Sequence, residues 1–267
     1  MTKLLDTLLL KCRRLCKKMK RRHWLLLTLL VLVGIIKWNH QLSYFYTRAV
    51  YPVIGSMLSA VSGLVPFAVG DIFIALSILW VLFCLRKKTT LLKAAEYLLW
   101  IYVWFYIAWG LNYTQPNIYL RTGMKPAEVD KDKLREFAYR YADSLNLLSE
   151  ERRVKSEEQE SEEQESEEQE SEEWKRRVSD ALQNVYEKMG QREGINTPFN
   201  PHPHAKTMVF TPISSMAGVT GSMDPFFCEF TLNGDIRPHD YPAIYAHEYA
   251  HFLGIAHEGE ANFYSYI

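Results

Sequence analysis

Three stretches of the chain are apolar almost without interruption. Residues 24–36 read WLLLTLLVLVGII. Residues 67–85 break their apolar run only at Gly70, Asp71 and Ser77, and end at Arg86-Lys87-Lys88. Residues 94–111 form a third run, rich in Trp and Tyr. A bilayer core needs about 20 apolar residues, so the pattern predicts three N-terminal transmembrane helices, the first of them short. Lys37 can snorkel and Trp38 can sit at the interface, which favours an uncleaved anchor over a signal peptide. The long basic arm and the lack of a small-x-small cleavage site agree. Residues 49–66 mix Gly, Ser and Pro with apolar positions, as an interfacial or re-entrant segment does.

Beyond residue 113 the pattern changes. Leu134, Phe137, Tyr141, Leu145 and Leu148 recur at helical spacing, as do Trp174, Val178, Leu182, Val185 and Met189 ahead of Gly190. Two short runs, 208–210 and 226–232, read as strands. The expected fold class is α+β and mostly helical, with a small sheet in the C-terminal part. Between the two amphipathic helices, Ser-Glu-Glu-Gln-Glu repeats from Ser156. A five-residue period sustains no stripe on a helix, so residues 156–173 read as a solvated low-complexity insertion.

The formal net charge is zero because opposite charges are segregated. Nine Lys/Arg stand in the first 22 residues, and eleven Glu with no base in 156–173. The basic block abuts an apolar run and the acidic block would repel phosphate, so the partners expected are a lipid bilayer and not nucleic acid. Basic residues at the N-terminus and in 86–93, against Arg48 alone in 39–66, place the N-terminus in the cytoplasm. Everything after a third span would then lie outside a cytoplasmic membrane that the chain crosses several times. Asp71, near the outer end of the second run, reads as a structural cap or hydrogen-bonding group. Cys12, Cys16, Cys84 and Cys228 show no paired spacing, so no disulfide framework is implied. His202-Pro203-His204 reads as a solvated loop.

Residues 246–262 (AHEYAHFLGIAHEGEAN) carry the chemistry. His247 and His251 stand four apart and so share one helix face, where both imidazoles can reach one metal ion. Glu248 lies between them, where a carboxylate can take a proton from water. Tyr245, Ala246, Tyr249, Ala250, Phe252 and Leu253 make the rest of the segment apolar. A helix apolar nearly all round is buried, and buried His and Glu need partners. Gly254 reads as a helix stop. Three residues compete as third ligand: His257, which completes a metzincin-type spacing, Glu258 and Glu260.

Residues 258–262 (EGEAN) resemble the ExxA(D/N) element of membrane-associated gluzincins. That resemblance implies Glu258 as the third zinc ligand, with Asn262 supporting a ligand from behind. Residues 66–71, 109–113 and 247–263 together resemble an uncharacterised bacterial family of three-span membrane proteins with an outward-facing zincin-like domain. The resemblance implies a basic arm (1–22), a membrane domain of three transmembrane helices (23–113) and an extracytoplasmic zincin-like domain (114–267). In zincins a strand before the metal helix pairs with substrate, and residues 218–232 are the candidate, with Glu229 facing either cleft or solvent. The chain stops five residues past Asn262, which implies a truncated form lacking downstream oxyanion groups. The expected function is a membrane-anchored zinc metalloendopeptidase acting on peptide or protein, with His247, His251 and Glu258 holding Zn2+ and Glu248 as general base. The rival is a catalytically silent scaffold with a structural zinc site. Cleavage inside the bilayer is disfavoured, because the motif lies in a short, polar-flanked segment.

Overall fold

A computed structural model describes residues 20–86, 90–126, 128, 130–157, 164–192, 195–199 and 205–266. Most of the basic arm, Cys12, Cys16, His202-Pro203-His204 and residues 158–163 of the Glu-rich repeat lie outside the described residues.

The first described helix, α1, is Arg21–Trp38. It stops at Asn39, whose backbone is extended and whose side chain accepts the N–H groups of Gln41 and Leu42 at 2.9 and 3.1 Å. An Asn in that role starts a new helix. Helix α2 (His40–Phe45) follows, then a π-helical turn (Tyr46–Val50) and α3 (Tyr51–Ser62), so the axis bends by 101° at the cap. Helix α4 is Val69–Leu85, 17 residues, and α5 is Leu91–Ala108, 18 residues.

This corrects the expected count of three transmembrane helices. Among the described residues one helix, α5, is long and apolar enough to cross a membrane, or two if the bent pair is a single span. The first run fails because only fourteen residues separate Arg22 from Lys37. The second stops short at Leu85. The multi-pass topology, and the assignment of sides that depended on alternating crossings, fall with the count. The fold class is corrected likewise: mostly helical, with a small open sheet and one candidate span.

The described residues fall into two compact units, one drawn from Met1–Asn117 and Gln183–Ile267, the other Ile118–Leu182. The second holds α6 (Ile118–Thr122), α7 (Lys131–Glu157) and most of α8 (Gln164–Arg192). Asp130 opens α7 by accepting the N–H groups of Asp132 and Lys133.

In the first unit, β1 (Lys206–Thr207), β2 (Gly221–Asp224) and β3 (Glu229–Leu232) form a sheet in the order β1-β3-β2. β1 runs parallel to β3, and β2 antiparallel with Gly221 opposite Leu232. Helix α9 (Thr211–Met216) lies between β1 and β2 in the chain. The strands are shorter than the apolar runs suggest. Val209 and Phe210 form a turn, and Phe226 and Phe227 leave the ladder for the β2–β3 turn. Their rings pack on Phe73 of α4 at 5.0 and 5.5 Å.

A buried polar knot joins sheet to helices. Lys206 Nζ donates to Glu229 Oε2 (2.5 Å), Ser62 O (2.7 Å) and Phe67 O (3.0 Å). Glu229 Oε1 accepts the Gly70 N–H at 2.8 Å, so Glu229 faces neither cleft nor solvent. Asp71, in the first turn of α4, accepts the Val209 N–H at 2.8 Å. Asp224 presses on Gly70, where a Cβ would lie 2.3 Å from its Cγ. Burial, opposed by the N–H groups of Phe227 and Phe226 and then reinforced by Glu229 and Asp71, pushes the Asp224 carboxyl up to about 7. Cys84 and Cys228 are buried free thiols.

Candidate metal centre

Helix α10 (Tyr241–Phe252) is buried along its last two turns, with Tyr245, Ala246 and Glu248 through Phe252 all enclosed. Its aromatic face meets Phe230 of β3 edge-on through Tyr245 (5.1 Å) and Tyr186 through Tyr249 (5.2 Å). Such pairs contribute about 0.5–1.5 kcal/mol each beyond the area they bury.

The helix ends in a turn that only glycine enters freely. Gly254 has φ +93°, Gly254 N donates to His251 O, and Ile255 N reaches back to Ala250 O. That pair of bonds is a Schellman closure. Five consecutive carbonyls at this end also receive side-chain donors. Trp109 Nε1 bonds His251 O (3.0 Å), Tyr51 OH bonds Phe252 O (2.6 Å) and Asn196 Nδ2 bonds Leu253 O (2.8 Å). Gln115 Nε2 bonds Gly254 O (2.6 Å), and His251 Nδ1 bonds Ile255 O (2.6 Å). A helix leaves its last four carbonyls without internal partners; here the N–H groups of Leu253 and Ile255 meet those of Tyr249 and Ala250, and Trp109 and Tyr51 meet those of His251 and Phe252.

The turn brings Glu258, first residue of α11 (Glu258–Tyr266), back to the histidines. His247 Nε2 lies 3.1 Å from His251 Nε2 and 3.1 Å from Glu258 Oε2, and Glu258 Oε1 lies 3.5 Å from His251 Nε2. One donor atom from each of the three falls within 4.8 Å of the others, a group suited to one metal ion. His251 Nδ1 can only donate to the Ile255 carbonyl, so its tautomer is fixed. Burial holds the ring pKa below its usual value against the pull of that carbonyl and of Glu258. The neutral ring therefore turns a bare Nε2 toward the cluster, as a ligating histidine must. Among the described residues neither His257 nor Glu260 joins this group. His257 is exposed, with its ring edge on Tyr113 at 6.2 Å, and Glu260 is buried.

The cluster opens on a cleft of about 610 Å³, lined by Gly218–Met223 and by Phe105, Trp109 and Tyr113. Glu248 lines the same cleft and is 6% exposed. Burial, and then the nearby Glu258 charge, push its carboxyl up to about 8. Gly221 of β2 lies so close over it that a Cβ there would stand 2.5 Å from Glu248 Oε1. The spacing of histidines carries no trace of Gly221, Trp109 or Gln115. In the sequence Trp109 stands out only as part of the 109–113 stretch.

Residues 46–267 match a family described as a protein of unknown function, DUF3810. The chain belongs to this family. That corrects the resemblance drawn from sequence: the family's description assigns no peptidase activity, and the three spans of the resembled group reduce to one candidate span. No curated protein and no solved structure matches the chain.

Proposed function

We propose that this DUF3810 protein is a zinc-dependent peptidase held at a membrane by its apolar helix. The observation that carries the reading is the meeting of His247, His251, Glu258 and the buried Glu248 in one cleft. Four-coordinate zinc with bonds of about 2.0–2.1 Å sets its ligand atoms about 3.3 Å apart. The closest approaches, 3.1 Å between the histidines and 3.1 and 3.5 Å to the two different oxygens of Glu258, are of that order, with one donor atom from each residue within 4.8 Å of the others. Zinc bound there supplies Lewis acidity and brings the pKa of water down to about 7.

The remaining work belongs to the chain. Beside a bound cation the Glu248 carboxyl would return toward its ionised form, in which it takes a proton from water in the cleft and later gives it to the leaving amine. The outer edge of β2, unpaired by any other described strand, offers main-chain groups to an extended peptide by strand addition. The first test is metal content. Glu258→Ala is expected to lose most of its zinc, with His257→Ala and Glu260→Ala retaining it. Loss confined to His257→Ala would move the third ligand.

Gly221→Ala probes the base without touching a ligand. Its new methyl would displace the Glu248 carboxylate, and misplacing a catalytic group by about 1 Å can cost 10²-fold. The variant is expected to keep its zinc and lose about 10²-fold in peptide hydrolysis. Parent-like turnover would remove Glu248 from the chemistry.

A further inference from the structure

The candidate span ends inside the cleft. Phe105 stands three residues before the end of α5, about 4.5 Å along its axis, and Trp109 and Tyr113 follow directly. All three line the cleft. An 18-residue helix is about 27 Å long, close to the roughly 30 Å hydrocarbon core. Its last turn therefore lies at a bilayer face, where Trp and Tyr are favoured. Trp109 binds the His251 carbonyl directly, so the metal helix is fixed at that face.

The β2–β3 turn descends to the same level. Trp104 Nε1 donates to Phe226 O at 3.1 Å, and the Phe226 ring packs between Phe105 (6.2 Å) and Phe73 (5.0 Å). Helix α4 runs antiparallel to α5, with Ser77 bonded to Tyr97 and Phe73 level with Phe105 around Phe226. Strand β2 thus has a direction relative to the bilayer. Its Gly221 end covers Glu248, and its Asp224 end leads into the turn seated on the apolar helices. At about 3.3 Å per residue, the four-residue strand spans roughly 10 Å.

We infer, resting on the peptidase reading, that the substrate is a polypeptide segment next to its own membrane anchor, cut within the first several residues outside the bilayer. A chain leaving the membrane beside α5 meets the wall of Phe105, Trp109 and Tyr113 first. It then lies along the free edge of β2 and reaches Glu248 and the histidines three to four extended residues later.

The test reconstitutes the full chain from detergent into phosphatidylcholine vesicles. The probe is a Leu/Ala helix of about 20 residues carrying a roughly 40-residue unfolded tail of mixed composition. The same tail without the helix is the free probe. Cut sites are mapped by mass spectrometry, with Glu248→Gln as background. Cuts are expected to cluster within about ten residues of the anchor, and the anchored tail to be cut at least about 10-fold faster than the free one, beyond what confinement gives bonds far from the anchor. Cuts spread evenly along the anchored tail, or equal rates for the two probes, would overturn the inference and leave the peptidase reading standing. Cleavage of neither probe would overturn that reading and this inference with it. Glu248-dependent release of fatty acid from the vesicles would assign the cleft to lipid and overturn the polypeptide substrate.

Discussion

Glu248→Gln is expected to bind zinc as the parent does and to hydrolyse peptide 10²–10⁴-fold more slowly, the range proton transfer by a positioned side chain usually contributes. Glutamine keeps the length and hydrogen-bonding reach of the carboxylate and removes its basicity. The site around it is rigid. Gly221 covers one side, the helix is buried, and the carbonyls beyond it are tied to Trp109, Tyr51, Asn196 and Gln115. A neutral replacement therefore stays in place, and a loss of rate reads as loss of the base. The assay needs two readouts from one sample: zinc per chain, and cleavage of an unfolded protein substrate. Full zinc with parent-like cleavage would exclude Glu248 as base. Full zinc with no cleavage by parent or variant would favour a structural zinc site in a silent scaffold.

What the sequence exposes about this site is what lies close together along it. His247, Glu248 and His251 occupy one helical turn, and the helix stop at Gly254 is a local property of backbone with φ +93°. The return of Glu258 follows within a few residues. What it conceals is long-range. Trp109 meets the His251 carbonyl across 142 positions, and Gly221 meets Glu248 from a strand only four residues long. No periodicity marks a glycine chosen for its neighbour's lack of room.

The membrane part misleads for a related reason. Hydropathy weighs residues 24–36 and 67–85 by composition, but crossing depends on uninterrupted helix. Asn39 looks like one polar residue between apolar runs and acts as a cap that turns the axis by 101°. The apolar runs overstate the strands because Phe226 and Phe227 have strand-like composition, yet their rings pack on Phe73 and Phe105. The sequence offers Glu229 only cleft or solvent, since its partner Lys206 lies 23 positions earlier, on a strand that pairs with β3 in parallel.

Lys206→Met is expected to cost about 3–5 kcal/mol of stability, the usual penalty for removing one partner of a buried ion pair. The ammonium and the carboxylate are 5% and 3% exposed. Every ammonium proton has an acceptor: Glu229 Oε2, the Ser62 carbonyl at the end of α3, and the Phe67 carbonyl before α4. Methionine fills a similar volume but orphans all three. It also leaves Glu229, Asp224 and Asp71 near one another without a compensating cation, and Asp224 already resists ionisation there. Arg237→Ala, which breaks the exposed pair with Asp240, serves as comparison and is expected to cost about 0–1 kcal/mol. Urea unfolding in detergent micelles would report both. The double variant Lys206→Met/Glu229→Gln separates charge from packing, because its new amide still accepts the Gly70 N–H and no longer needs a cation. It is expected to be more stable than Lys206→Met alone. A single-variant loss within the range of the exposed pair would show that the knot under the sheet does not hold the cleft wall to the apolar helices.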